Sequence, residues 1–190
     1  VGVVNRNQPR KRHDLTLAWF ADWVLRHGVD NAWLYLHLAV EDSGWNVRQL
    51  AKFFGIDNRL IVTKSVNPAV GIGDDSLTAL YQCFDVQVTT TQGEGWGLTT
   101  MEGMACGIPQ IVPDWSGLGE WTGDAVVKVA IGEIAVTPNG INVVGGVPAR
   151  EPWIAGLHRF YSDLAFREEM GARARAHVLR PEFDWTTIGA

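Results

Sequence analysis

Short β-branched runs alternate with amphipathic runs along almost the whole chain, and this alternation limits the possible fold more than any other feature. Strand-like runs fall at residues 1–5, 32–40, 59–63, 85–90, 110–113 and 126–130. Helix-like runs fall at 14–27, 47–54, 74–84, 98–106, 153–166 and 168–179. Leu15, Trp19, Trp23 and Arg26 are spaced along one face of the first helix, and Gly28 stops it. Gly55 ends the second helix, and Asp74 or Asp75 suits the N-cap of the third. Strands separated by helices predict a parallel sheet with right-handed crossovers. The expected fold class is α/β: a doubly wound, Rossmann-like parallel sheet of about six strands with helices on both faces. Residues 131–151 are rich in Gly, Pro and Asn and read as an irregular excursion. At 190 residues the chain suits one domain, 1–190, with a sizeable core.

In such sheets a ligand binds at the C-terminal ends of the strands, at the switch point where strand order reverses. The first and fourth strands should be neighbours there, so the loops after Asn5 and Thr90 should face each other. The second of these loops is Gly93-Glu94-Gly95-Trp96-Gly97, and a helix starts directly after it. Strand, glycine loop and helix N-terminus in that order suit a phosphate: the glycines leave no Cβ in the way and the helix dipole favours an anion. Glu94 and Glu102 bracket the loop and can accept hydrogen bonds from sugar hydroxyls. Glu102 has a second reading, because Thr99-Thr100-Met101-Glu102 also fits a capping box with Thr99 as the N-cap. The facing loop carries Arg6, Arg10, Lys11 and Arg12. Such charges are either a solvated face or a clamp for a pyrophosphate, which Arg can grip with two donors and Lys with a point charge.

Composition excludes several classes. A net charge of −5 gives no general nucleic-acid partner. Hydrophobic residues make up 46% and charged residues 19%, which is globular and not disordered. No run of about 18 apolar residues exists, so no membrane span is expected. Cys83 and Cys106 sit in apolar helical contexts, which favours a reducing, cytoplasmic setting over a disulfide framework. The five His show no paired metal spacing, and His37 reads as a satisfied core residue. No Asp-x-Asp occurs, so the usual carboxylate pair holding a divalent ion on a nucleoside diphosphate is missing and no metal or other cofactor is expected. Gly71-Ile72-Gly73 lacks a third glycine and reads as a turn. The chain opens without Met inside a strand pattern, which suggests a piece of something longer.

Glu94 and Glu102, with Gly95-Trp96-Gly97-Leu98-Thr99 between them, resemble the E-x7-E signature of the retaining glycosyltransferases of family 4, which have the two-domain GT-B fold. Met101 to Pro109 is similar to that family's helix and following strand. Arg6 and Lys11 match its pyrophosphate-gripping pair, Ser116-Gly117-Leu118-Gly119-Glu120 resembles its Gly-x-x-Glu, and Phe183-Asp184-Trp185 is similar to its closing aromatic pair. Asn5 stands where the family usually has Gly before the Arg, and Arg12 where Gly usually follows the Lys. The resemblance implies the C-terminal donor half of a metal-independent retaining enzyme. It implies that Glu94 meets the donor sugar, that Arg6 and Lys11 hold the diphosphate and that Glu102 holds the ribose. The amides of Gly95, Trp96, Gly97, Leu98 and Thr99 would serve sugar and phosphates, and the base would rest on the backbone near Val62 and Thr63.

The implied partners are a UDP-sugar or GDP-sugar, a hydroxyl acceptor (glycan, lipid or small molecule) and a missing N-terminal domain of the same enzyme. The full-length protein would be cytoplasmic or peripheral to a membrane, and the fragment alone incomplete as a catalyst. Arg10 and Arg12 are the expected solvated part of the cation loop. Two other readings fit the same fold, a non-catalytic nucleotide-sugar-binding domain and a sugar-nucleotide epimerase.

Overall fold

The computed structural model describes residues 1–64, 71–136 and 144–188. Six short strands form one parallel sheet: β1 (Gly2–Val4), β2 (Leu34–His37), β3 (Leu60–Val62), β4 (Gln87–Val88), β5 (Gln110–Pro113) and β6 (Val127–Val129). Their order is β3-β2-β1-β4-β5-β6, so the chain winds outward from β1 in both directions. Gly2 is registered with Tyr35 on one side and Gln87 on the other, which makes β1 and β4 neighbours across the switch point as the pattern predicts.

Successive strand residues point to opposite faces, and both faces are buried. Val3 and Ile111 join a core with Leu17, Phe20, Trp23, Trp153 and Phe160. That side is covered by α1 (His13–His27), α2 (Val47–Phe53) and α6 (Arg150–Ser162). Val112 points the other way, into a core with Met104, Leu118 and Ala174 built by α4 (Leu98–Ala105), α5 (Ser116–Trp121) and α7 (Leu164–Val178). Val4 packs there with Tyr81 of α3 (Asp74–Gln82), Phe84 and Ile108. A last short helix, α8, covers Trp185–Ile188.

Three expectations change. The excursion at 131–151 is not irregular. It carries an antiparallel hairpin, β7 (Ile131–Val136) and β8 (Val144–Pro148), and its residues 137–143 lie outside the described residues. Gly145 and Gly146 weaken the strand signal in the sequence, yet their missing side chains let β8 lie against Gln92 and Trp115. The break between the last two long helices falls at Asp163, four residues before the expected one, because the Asp163 carboxylate caps α7 by accepting the Phe166 amide at 2.9 Å. Gly73, and neither Asp74 nor Asp75, is the N-cap of α3; the two acids sit in its first turn, where the dipole favours them. None of the described helices is long and apolar enough to cross a membrane.

Candidate functional site

The two loops at the switch point meet as expected. The Gln92 amide donates to the Arg10 carbonyl at 2.8 Å, and Thr90 Oγ1 donates to the Arg12 carbonyl at 2.7 Å. Asn7, buried, fixes the other flank of the cation loop. Its Nδ2 donates to the carbonyls of Val40 and Trp45, and its Oδ1 accepts the Trp45 amide. His13 reaches back to the Arg6 carbonyl at 3.0 Å and is held below the usual histidine range by burial. Arg12 adopts a left-handed backbone, φ 51°, and its guanidinium is tied to Asp14 at 3.0 Å. That is the conformation glycine adopts most easily, which accounts physically for a position where the resembling family usually has Gly.

The cations divide differently from the expectation. A single 3-10 turn, Pro9–Lys11, swings Arg10 and Lys11 inward. Lys11 Nζ pairs with Glu94 Oε1, and its side chain is only 7% exposed. Burial lowers the Lys11 pKa, and Glu94 opposes that shift. Arg10 is not solvated: Nη1 donates to the Gly93 carbonyl at 2.9 Å and to Glu94 Oε2 at 3.1 Å. Arg6 is the outward residue, 64% exposed, with Nε 3.0 Å from Asp42 Oδ2. Its Nη2 also donates to Asp42 Oδ1 at 3.2 Å, so the Arg6 fork is held in two places on a carboxylate that is itself only 11% exposed.

Glu94 is also held through its main chain by a short helix that the sequence reading did not predict as such. Ser116 Oγ accepts the Glu94 amide at 3.0 Å, and the Gly117 amide donates to the Glu94 carbonyl at 3.1 Å. Ser116 stands at φ 51°, a strained position of the kind that collects at functional sites. The motif Ser116-Gly117-Leu118-Gly119-Glu120 is thus the seat on which the Glu94 loop rests.

Gly97, at φ +88°, turns the loop into α4 as its N-cap. The helix starts at Leu98, so Glu102 lies past the first turn and no capping box with Thr99 forms. The amides of Leu98 and Thr99, in that first turn, lack intrahelical acceptors. Glu102 accepts the Tyr81 phenol at 2.7 Å, and the same hydroxyl lies 3.2 Å from the Thr99 carbonyl. Burial and the neighbouring carboxylate push the Tyr81 pKa up, so it remains a donor. Trp96 lies flat on Trp121, with centroids 5.2 Å apart and 9° between planes, and Phe183 meets both edge-on. Trp121 Nε1 donates to the Trp96 carbonyl at 2.6 Å, which fixes the peptide at the tip of the loop. Of the closing aromatic pair, Phe183 therefore joins the site, and the Trp185 side chain lies outside what the structure describes.

Val62 and Thr63 stand at the end of β3. Val62 is buried, and Thr63 Oγ1 lies 2.8 Å from the Tyr35 hydroxyl and 2.9 Å from His37 Nδ1. His37 is the hydrogen-bonded, buried histidine the sequence suggests. Among the described residues no group of three or more His, Cys, Asp or Glu is placed to hold a metal ion. A cavity of about 750 Å³ opens elsewhere, lined by Trp33, Tyr35, Phe84, Tyr161 and other residues. It includes Val1 and Asp85, at the N-terminal ends of β1 and β4, and contains none of the loop residues that carry charge and glycine.

The chain is 27% identical over 189 residues, its whole length, to a D-inositol 3-phosphate glycosyltransferase of Salinispora arenicola, and it spans 39% of that relative. The chain thus covers about two-fifths of the length of the relatives it matches from end to end, and less of the others. Two of the solved structures that share the fold are HepE and LpcC. HepE of Anabaena in complex with UDP has a TM-score of 0.70 at 18% identity, covering 98% of this chain and 45% of that one. The C-terminal domain of LpcC, a glycosyl transferase group 1 protein of Francisella tularensis, has a TM-score of 0.67 at 15% identity, covering 93% and 83%. The model of the family 4 glycosyltransferases in conflict systems, GT4-conflict, matches residues 65–189. That match takes in the glycine loop, α4, the Ser116–Glu120 seat and both long C-terminal helices, and the chain belongs to this family.

Proposed function

We propose that the chain is the donor-binding domain of a two-domain GT-B enzyme, which moves a sugar from a nucleoside diphosphate to a hydroxyl with retention at the anomeric carbon. The observation that carries this reading is the fixing of Glu94. Its carboxylate is paired by Lys11 and Arg10, and its main chain is seated on Ser116 and Gly117, beside the open N-terminus of α4. Such a loop presents a carboxylate for sugar hydroxyls next to amides for a phosphate. The likeness to a UDP-bound structure and to a C-terminal domain supports the nucleotide and the domain assignment.

In this reading Lys11 and Arg6 neutralise the leaving diphosphate with the α4 amides and no metal. Loss of one such contact typically raises a barrier by about 2.7–4 kcal/mol. Glu94 orients the sugar and stabilises positive character at the anomeric carbon. Glu102, aligned by Tyr81, meets the ribose, and the base lies by the backbone of Val62 and Thr63. The donor is a UDP-sugar or GDP-sugar. The acceptor, a glycan, lipid or small molecule, is held by an N-terminal domain of the longer, cytoplasmic protein.

Thermal melting with UDP-, GDP- and ADP-sugars tests the donor site. A ligand at 100 times its Kd stabilises by about 2.7 kcal/mol, which in a domain of this size raises Tm by roughly 5–11 °C. One nucleotide series should give such a rise, unchanged in EDTA. A rise abolished by EDTA would contradict metal independence, and no rise with any donor would contradict the donor site.

A further inference from the structure

Arg10 is the cation of the loop whose placement the sequence does not foretell. It grips the glycine loop in three ways. Its carbonyl accepts the Gln92 amide, and its Nη1 donates to the Gly93 carbonyl and to Glu94 Oε2. Its side chain is 20% exposed and that of Glu94 12%, so the contact lies largely out of water. Lys11 takes the other oxygen of the same carboxylate. One largely buried carboxylate therefore holds two cations.

A carboxylate this far from water has to keep a cationic partner. A nucleoside diphosphate brings further negative charge to the same loop. Without Arg10, Lys11 would have to serve the Glu94 carboxylate and, together with Arg6, the diphosphate as well. We propose that Arg10 is a positioning residue: it holds the Glu94 carboxylate and the Gly93 carbonyl, so that the charge of Lys11 can turn to the diphosphate without stranding Glu94. This rests on the donor-site reading above. It gives the two adjacent cations different tasks, Lys11 toward the ligand and Arg10 toward the protein. The planar guanidinium suits the second task, since it can serve a carbonyl and a carboxylate in one fixed geometry.

A double-mutant cycle on the whole chain tests the assignment, with UDP and GDP as probes in calorimetric titration. Arg10→Ala should lower affinity for the diphosphate by about tenfold when Glu94 is present. In the Glu94→Gln background the same change should matter less than about threefold, because a neutral amide needs no cation. Lys11→Ala should weaken binding in both backgrounds. Arg10→Lys, which restores the charge but not the planar fork, should recover only part of the affinity lost in Arg10→Ala. Equal losses on removing Arg10 in both backgrounds would show a direct phosphate contact and overturn the proposal. So would no loss in either, or an Arg10→Lys variant no better than Arg10→Ala.

Urea unfolding of the same variants without nucleotide separates the two levels of the argument. Non-additive destabilisation by Arg10→Ala and Glu94→Gln would show the pair formed in solution. A coupled pair in a wild type that binds neither UDP nor GDP would sink the donor-site reading, and the task given to Arg10 with it. Nucleotide binding without coupling would sink the Arg10 assignment alone.

Discussion

Glu94→Ala is expected to destabilise the free protein strongly, before any ligand is considered. The change leaves the Lys11 ammonium, 7% exposed, facing Arg10 with no anion between them. Removing one partner of a buried pair typically costs about 3–5 kcal/mol, because the other charge stays buried. For a chain of this length that lowers Tm by at least about 6 °C. The sign of the pH dependence is fixed by Lys11. Burial already lowers its pKa in the intact protein, with Glu94 opposing the shift. Without Glu94 the folded state holds this proton less tightly than the unfolded chain does. Between the lowered pKa of the folded state and about pH 10.4 the unfolded chain then binds more protons, so the stability of the variant rises with pH through that window. Urea unfolding at about pH 7 and pH 9.5 should show the deficit shrinking at the higher pH. A variant as stable as wild type at both would mean that the Lys11–Glu94 pair is not formed.

Gly117→Ala should have the largest effect on function. A Cβ at Gly117 would overlap the Gly95 carbonyl oxygen and stand 2.8 Å from the Gly95 carbonyl carbon and 3.0 Å from the Glu94 oxygen. All three are main-chain atoms, so no rotamer change relieves the contact. Either α5 or the peptide after Glu94 must move. A displacement of about 1 Å in such a site can cost on the order of 100-fold in rate. Gly95→Ala is the informative contrast, since a Cβ there meets nothing within 4 Å. Melting temperature and donor affinity, measured together, should separate the two. Gly117→Ala should lose both, and Gly95→Ala should keep its melting temperature and lose affinity, if the open face at Gly95 receives the ligand. A Gly117→Ala protein with full affinity would show that the seat under Glu94 does not set the loop.

The sheet was legible because its signals are local and repeated. Each parallel strand was foreseen within a few residues, and the meeting of the loops after β1 and β4 followed from topology alone. The hairpin β7–β8 was not legible, because Gly145-Gly146 reads as a loop until Gln92 and Trp115 are seen against it. Within the site, Glu94, Lys11 and the glycine loop follow from residue type and position. Which cations find partners does not: Arg10 and Arg12, expected in solvent, are tied to Glu94 and Asp14, Arg10 through the 3-10 turn at Pro9–Lys11. The two readings of Glu102 were equally local; the helix start at Leu98 removes the capping box, and a phenol 21 residues away in sequence, on α3, is the partner the sequence did not offer. Asn7 and Ser116 act through main-chain contacts to distant loops, and nothing in their immediate sequence announces them.

The central claim is that a nucleotide-sugar binds at the β1–β4 switch point. Amide NMR of the chain during titration with a UDP-sugar or GDP-sugar addresses it directly. Saturable shifts should concentrate at Gly95, Trp96, Gly97, Leu98 and Thr99, with Lys11 and Gly117 moving in step and with the same dissociation constant. Shifts confined to Trp33, Tyr35, Phe84 and Tyr161, around the cavity away from these loops, would contradict the claim, as would a spectrum unchanged by either donor.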